Sequence, residues 1–217
     1  MSQMVVQAMW DRDSPLKQIP HFTPEVVKTA NAFGANDVFE FMDLMDPTEN
    51  KDYEKMIKRL NLDKRQLGQA AHFTNDKYPN VEVDFEVEDP ESITTGAPAH
   101  LNVHITRETD DEEGEPDTTA HAPFYPGKKM ENWWLVVGEE ESKTLLAIKR
   151  VTIGRKLDVR LEFVTQKVGG QDLKCFLMCD SYVGVDQDPG FRVEAAEGME
   201  EEEDEDEGEG EEGDGGE

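Results

Sequence analysis

The amino-acid sequence predicts an α+β protein with segregated parts, in which an all-helical region is followed by an antiparallel β-sandwich. Two observations lead to this prediction. Apolar residues recur at three- and four-residue steps as far as Pro79, which is the period of helices packed by one face. From Val81 onward apolar residues alternate with acidic ones, which is the period of strands with one buried face.

Residues 1–20 are predicted to be the end of a truncated helical bundle. Apolar side chains recur there at helical steps over only about ten residues, which is too short for a helix that stands alone. Without partner helices these side chains would be exposed, so we expect a fraying N-terminus or self-association. The helical pattern consists of Met1, Met4, Val5, Ala8 and Met9, and the side chains expected to be exposed are Met4, Val5, Met9 and Trp10.

Residues 21–79 are predicted to form a small all-helical hairpin module, similar to a helix-hairpin-helix module. Thr23 can cap a helix that begins at Pro24, and Gly34 can end that helix. The other predicted helices begin after Asn36 or Asp37 and cover roughly 48–60 and 63–74. The module ends at Pro79.

Residues 80–197 are predicted to form an immunoglobulin- or fibronectin-like β-sandwich. Seven short strands separated by glycine, proline and acidic turns, with no helical pattern between them, are typical of this architecture. The predicted strands are 81–88, 99–106, 133–137, 144–153, 157–164, 172–179 and 190–195. The acidic stretch 107–119 is expected to be a mobile hairpin insertion.

The charge is strongly negative and is concentrated at the C-terminus. The net charge is −28, and residues 200–217 contain thirteen carboxylates, no cation and no apolar residue. Such a segment cannot offset its ordering entropy, so residues 198–217 are predicted to be a disordered acidic tail that suits a basic partner. The acidic balance argues against broad capture of nucleic acid or anionic lipid, and no apolar run is long enough to span a membrane.

We expect no catalytic, cofactor or metal site. The stretch "PGKKM" lacks the spacing of a phosphate-binding loop, and no G-x-S-x-G elbow is present. His100 and His104 lie on a predicted strand, where their spacing places them about 13 Å apart, too far to share a zinc ion. The same spacing separates Cys175 from Cys179, so both are expected to be buried, reduced thiols.

Two surfaces are candidates for partner contact. The adjacent Trp133 and Trp134 must point to opposite faces of their strand, so one anchors the core and the outward one is the preferred interface candidate. The second surface is a cationic stripe at helical spacing, which is either a solvated helix face or a contact for RNA or an acidic partner. The stripe consists of Lys51, Lys55, Lys58 and Arg59.

The segment "DSYVGVDQDPGF" lies between the sixth and seventh predicted strands. Tyr182 and Gly184 are expected to make a turn, beside Ser181, while Asp180 and Asp186 accept backbone N–H groups. A calcium site would need several converging carboxylates, and no second suitable acidic loop is evident. The segment is therefore predicted to be a corner of the sandwich.

These motifs resemble the C-terminal part of the Sec-sixty-three homology unit. The resemblance covers residues 3–195 and is carried by "QMVVQAMW", "SPLKQIPHF", "YPNVEVDFEV", "NWWLVVG", "TLLAIKRVTI" and "CDSYVGVDQD". The unit occurs in the J-protein of the endoplasmic reticulum translocon and in the large spliceosomal RNA helicase, and "VVQAMW", "SPLKQIPHF" and Ile148-Lys149-Arg150 look more like the last unit of the helicase.

The resemblance implies a non-catalytic interaction or scaffold role in pre-mRNA splicing, in the nucleus. The chain has no helicase motor, so it looks like a fragment, and its implied partners are splicing proteins and the rest of the helicase polypeptide. The alternative is a part of the translocon protein at the cytosolic side of the endoplasmic reticulum membrane, acting through its acidic tail. Direct RNA contact by the helices is the weakest alternative.

Overall fold

The computed structural model describes residues 1–108 and 114–198, which contain short helices followed by two antiparallel sheets. The helices are α1 (Ser2–Val6), α2 (Pro24–Ala32), α3 (Val38–Leu44), α4 (Tyr53–Leu60) and α5 (Lys64–His72). The strands are β1 (Val81–Val87), β2 (Pro98–Arg107), β3 (Trp133–Glu139), β4 (Thr144–Val151), β5 (Lys156–Val164), β6 (Gly169–Cys179) and β7 (Gly190–Ala195).

The ends of the helices follow from local side-chain chemistry. Thr23 accepts a hydrogen bond from the backbone N–H of Val26 and so caps α2, whose first residue is a proline. Asp37 caps α3 in the same way. Asp63 and Gln66 form a reciprocal capping box at the start of α5. The helices lie within the predicted stretches, although α4 begins at Tyr53 rather than near residue 48. Their description as a separate helical-hairpin module stays a prediction.

The N-terminal segment differs from its sequence-based prediction. Helix α1 ends at Val6, and Ala8 takes a left-handed backbone conformation with φ of 51°. The side chains of Val6 and Met9 are buried, so the expectation that Met9 would be exposed is wrong; Val5 and Trp10 are exposed as expected. The reason is that the segment docks on the corner of the sandwich, where Gln3 bonds to Asp186 and Gln7 bonds to the Ser181 carbonyl.

Two antiparallel sheets form the second half of the structure. The three-stranded sheet has the order β1-β2-β5, and the four-stranded sheet has the order β4-β3-β6-β7. The inward side chains of both sheets are buried, and the Phe163 and Phe191 rings meet across the sheets with centroids 6.4 Å apart. This two-sheet arrangement confirms the predicted sandwich, and its strand order is consistent with an immunoglobulin- or fibronectin-like fold.

Helices and sandwich share one apolar core. Leu16 and Phe41 from the helical region belong to the same buried cluster as Leu101 and Leu135 from the sheets. At the junction, the Tyr182 ring contacts Phe73 with centroids 6.0 Å apart. The two regions are therefore packed against each other.

Two predicted segments lie wholly or partly outside the described residues. These are the middle of the acidic insertion, residues 109–113, and the acidic tail, residues 199–217. The domain boundaries at 20, 79 and 197 stay predictions. Cys175 and Cys179 are buried free thiols, as the strand spacing predicted.

Candidate functional site

The outer face of the four-stranded sheet is apolar where β3, β4 and the end of β6 meet, whereas its β7 side carries the ion-paired Asp172 and Arg192. The antiparallel register places Trp134 between Arg150 and Met178, and it places Val136 between Ile148 and Phe176. The guanidinium carbon of Arg150 lies 5.5 Å from the centroid of the Trp134 ring. We call this surface the Trp134 face; it comprises Trp134, Val136, Ile148, Arg150, Phe176 and Met178.

The outer face of the three-stranded sheet is polar along its whole length. Its middle row across β1, β2 and β5 is Asp84, His104 and Asp158, and the His104 Nδ1 atom lies 2.6 Å from an Asp158 carboxylate oxygen. The rows on either side are Glu82, Thr106 and Lys156, and Glu86, Asn102 and Arg160. A solvated antiparallel sheet normally has such a face. The Trp134 face therefore departs from the usual alternation.

Trp133, the other candidate of the tryptophan pair, belongs to the core. Its side chain is 0% exposed, and its indole N–H donates to a carboxylate oxygen of Glu131 over 2.7 Å. The same carboxylate pairs with the buried guanidinium of Arg107. Trp133 is thus unavailable to a partner, and Trp134 is the outward member of the pair.

Asp180 is the centre of a polar network at the corner that follows β6. Its Oδ1 atom accepts hydrogen bonds from the backbone N–H of Asn132 over 3.0 Å, from Lys129 Nζ over 2.7 Å and from Ser181 Oγ over 2.6 Å. Its Oδ2 atom accepts from Arg150 over 3.2 Å. Because Arg150 also covers the Trp134 ring, the corner and the Trp134 face are in direct contact.

Asp186 and Gly184 shape the other side of the same corner. The Asp186 carboxylate accepts from the backbone N–H of Cys179 over 2.8 Å and from the Gln3 amide over 2.7 Å. Gly184 has φ of 92°, a conformation that suits glycine, and a side chain there would meet the Tyr78 hydroxyl at 3.1 Å. Both aspartates thus accept a backbone N–H, as the sequence predicted.

The corner also holds the N-terminal segment. The Gln7 amide donates to the carbonyl oxygens of Ser181, over 2.8 Å, and of His121, over 3.1 Å. The Tyr182 hydroxyl accepts from the backbone N–H of His121 over 2.8 Å. One end of the sandwich is therefore tied to the start of the chain.

Gln18 makes the corresponding link to the helical region, and sequence reasoning missed it. Its amide donates to the Val183 carbonyl over 2.9 Å and accepts from the Val183 N–H over 2.7 Å, and the Tyr78 hydroxyl donates to the same carbonyl over 2.8 Å. The available signal was a glutamine between the apolar Leu16 and Ile19 in a short helical turn, because a buried amide needs partners.

For both aspartates, burial raises the pKa and the accepted hydrogen bonds lower it. Burial alone would raise the pKa of Asp180, but the hydrogen bonds from Lys129 and Ser181 outweigh it and hold that pKa below its usual value. Burial raises the pKa of Asp186 and outweighs the opposing effects of the Cys179 N–H, the Gln3 amide and the positively charged N-terminus. The pKa values of the two aspartates are thus shifted in opposite directions.

The sequence comparison places this arrangement in a known family. Residues 1–192 match the Sec63 Brl domain. The chain belongs to the Sec63 Brl domain family. The match includes the Trp134 face, the corner around Asp180 and the helices that dock on it. The resemblance noted from the sequence motifs is thereby confirmed.

Curated relatives of this Sec63 Brl domain include a pre-mRNA-splicing factor and U5 small nuclear ribonucleoprotein helicases. The chain is 44% identical over 202 residues to the pre-mRNA-splicing factor brr2 of Schizosaccharomyces pombe. It is 40% identical over 197 residues to the U5 small nuclear ribonucleoprotein 200 kDa helicase of Drosophila melanogaster, and 38% identical over 197 residues to that of Homo sapiens. These matches cover 91–93% of the chain but only 9% of each relative.

The cationic stripe lies on the exposed side of α4. Lys55, Lys58 and Arg59 are on the helix, Lys51 precedes it, and all four are exposed. Lys55 pairs with Asp52 over 3.4 Å. The stripe is therefore partly balanced by acidic neighbours, and both interpretations of it given above stand.

The histidines on β2 do not meet. His100 lies beside Glu162 and His104 beside Asp158, so each faces a carboxylate on β5 rather than the other histidine.

Within residues 1–108 and 114–198, no group of three or more histidine, cysteine or acidic side chains is arranged to hold a metal ion. No helix in the same residues is both long and apolar enough to cross a membrane.

Proposed function

We propose that this Sec63 Brl domain is a non-catalytic protein-interaction and scaffold module of a spliceosomal ATP-dependent RNA helicase, acting in pre-mRNA splicing in the nucleus. The names of the relatives, a pre-mRNA-splicing factor and the U5 200 kDa helicases, support this assignment. The chain spans about 9% of the length of these relatives. We therefore assign the helicase activity to other parts of the proposed parent protein.

The Trp134 face carries the proposal. Tryptophan and arginine are enriched among the residues that dominate binding energies, and here they lie together on an apolar sheet face. Covering a large apolar side chain contributes about 1.5–3 kcal/mol. The polar outer face of the other sheet serves as an internal comparison.

Contact with the rest of the helicase polypeptide is proposed at the N-terminal segment. Met1, Val5 and Trp10 are exposed there, whereas Val6 and Met9 hold the segment to the sandwich. The exposed apolar residues therefore form a surface at the start of the chain that suits packing against helices of the parent protein.

Affinity capture tests the proposed function. The chain would be tagged and incubated in nuclear extract, with retained proteins identified by mass spectrometry, for the native sequence, Trp134→Ala and the control His104→Ala. We expect retention of splicing proteins to fall at least tenfold for Trp134→Ala, the loss typical of a dominant contact residue. The control removes a side chain from the polar face and should leave retention unchanged.

Two results would contradict this proposal. One is retention that falls equally for both variants, because the Trp134 face would then have no special role. The other is a native chain that retains no splicing protein.

We propose RNA contact by the cationic stripe as a subordinate function. This proposal is based only on the exposed position of the stripe. Reversing Lys55, Lys58 and Arg59 to glutamate should then abolish binding to single-stranded RNA at low salt. Binding that survives the reversal would remove the stripe as an RNA contact.

A further inference from the structure

Strand β4 is an edge strand with an open side. It pairs with β3 and with no other strand among the described residues. Natural edge strands are usually protected by charged side chains or by a covering segment, because their free N–H and C=O groups accept a further strand. Whether β4 is open in this sense depends on which of its backbone groups face away from β3.

The register settles which groups face outward. The backbone N–H of Asp180 donates to the Asn132 carbonyl over 2.9 Å, so Asn132 directs its backbone groups toward β6. In antiparallel pairing alternate residues face opposite neighbours, so Leu135 faces β4 and bonds to its partner Lys149. The next residues on either side, Ile148 and Arg150, therefore direct their N–H and C=O groups away from the sheet.

The side chains of β4 are more apolar than those of the other sheet edges. Leu145 is 58% exposed and Ile148 is 55% exposed. Charged residues are exposed on the three other edge strands of the two sheets: Glu82, Asp84 and Glu86 on β1; Lys156, Asp158, Arg160 and Glu162 on β5; and Arg192 and Glu194 on β7. Only β4, among the described edge strands, combines open backbone groups with exposed aliphatic side chains.

The charges near this edge are positive in an otherwise acidic chain. Lys149 and Arg150 are both exposed and lie directly after Ile148 on β4. Arg150 shares its charge with Asp180 but keeps a half-exposed side chain. An added strand would thus meet one apolar side chain followed by two cations.

We propose that β4 receives an extended segment of a partner protein as an added strand, and that this segment places an apolar residue beside Ile148 and carboxylates beside Lys149 and Arg150. This inference rests on the proposed interaction function and specifies its mode. Backbone hydrogen bonds from Ile148 and Arg150 supply affinity, and the alternation of side chains supplies selectivity. The added strand extends the Trp134 face at its β4 side.

The test uses a defined peptide and the full chain. The probe is a synthetic nine-residue peptide that repeats valine-glutamate-glutamate, so that a valine beside Ile148 is followed by glutamates beside Lys149 and Arg150, and the control peptide replaces glutamate by lysine. Amide hydrogen exchange is followed by NMR with and without peptide. We expect the amides of Ile148 and Arg150 to exchange at least tenfold more slowly with the acidic peptide, with a dissociation constant of about 1 mM or tighter. The Lys149 amide already bonds to β3 and should change little.

A matched pair of charge reversals tests the electrostatic part. Lys149→Glu should weaken the acidic peptide about fivefold, because it replaces an attractive contact by a repulsive one. Lys156→Glu makes the same change on an edge of the other sheet and should have no effect. Because both side chains are exposed, neither variant should alter folding.

Several outcomes would overturn the inference. The first two are no binding of the acidic peptide and unchanged amide exchange at Ile148 and Arg150 when that peptide is saturating. The third is equal binding of the lysine peptide. The fourth is protection of these amides that depends only on the concentration of the chain, which would make a second copy the occupant. If capture of splicing proteins through Trp134 succeeds while the peptide fails, the proposed function stands and strand addition is wrong. If the peptide binds while capture of splicing proteins fails, strand addition stands and the proposed function is wrong.

Discussion

Asp180 joins parts of the chain that are far apart in sequence. Lys129 precedes Asp180 by 51 positions and Arg150 precedes it by 30, yet both donate hydrogen bonds to its carboxylate. The carbonyl oxygen of the neighbouring Ser181 accepts a hydrogen bond from the Gln7 amide, which lies 174 positions away in sequence. The Asp180 side chain is 8% exposed and that of Lys129 is 15% exposed. An ion pair so buried stabilises little in itself, but breaking it leaves an unpaired charge.

Replacement of Asp180 is therefore expected to destabilise the fold. Asp180→Asn keeps the shape but removes the charge that Lys129 requires, and should lower the free energy of unfolding by about 3 kcal/mol. Asp158→Asn is the control, since Asp158 is 81% exposed beside His104 and its loss should cost below about 0.5 kcal/mol. Urea unfolding measures both. Equal effects would mean that the corner network does not stabilise the protein.

The pH dependence of this effect has a defined sign. The pKa of Asp180 in the folded chain lies below its ordinary value of 3.8. Its stabilising contribution is thus fully present above about pH 3.8 and is lost as the pH falls through the lower, folded-state pKa. The stability difference between the native chain and Asp180→Asn should be constant near neutral pH and shrink in acid. A difference that grows on acidification would contradict the assignment.

At the scale of single elements, β3 and β4 show what a local irregularity does. Their pairing shifts between Val137 and Gly138, which is a bulge near the end of the hairpin. A side chain at Gly138 would meet the Thr144 carbonyl oxygen at 2.9 Å, so glycine permits the close approach of the two backbones.

Gly138→Ala is expected to destabilise the hairpin. The added methyl group meets backbone rather than a flexible side chain, so the free energy of unfolding should fall by about 1–3 kcal/mol. Gly127→Ala is the matched control, because a side chain there has open space around it. Thermal unfolding of both variants measures the difference. A neutral Gly138→Ala would show that the bulge can relax without cost.

Strands and helices differ in how completely their sequences predict them. The alternation of Val81, Val83 and Phe85 with acidic residues predicts β1 and its buried side, because the period is a local property. The same reasoning fails for residues 1–10. Five residues form a helix there and the rest turns to dock on the sandwich, since contacts with distant residues outweigh a short helical pattern.

At the scale of the whole molecule, the helices and the sandwich meet through polar and aromatic contacts. Gln18 and Tyr78 both bond to Val183, and the Tyr78 and Tyr182 rings lie with centroids 5.6 Å apart. The buried residues of both regions belong to one cluster. A shared core of this kind favours cooperative unfolding.

We accordingly expect one unfolding transition for the two regions. Far-UV circular dichroism and tryptophan fluorescence should give coincident urea midpoints for the native chain. Removing the link with Gln18→Ala and Tyr78→Phe together should separate the two curves, whereas Lys17→Ala, which removes only a partly exposed ion pair, should not. Separate transitions in the native chain would instead favour the independent helical module predicted from the sequence.

The sequence by itself determined the properties that depend on neighbouring residues. The cap at Thr23, the alternation along the strands and the opposite directions of Trp133 and Trp134 all follow from local backbone geometry. The family resemblance likewise rests on short motifs. Tertiary structure alone decided which tryptophan is buried, that Gln7 and Gln18 dock on the corner, and that β4 lies at an open edge. These features depend on contacts between residues far apart in the chain, and no local period encodes them.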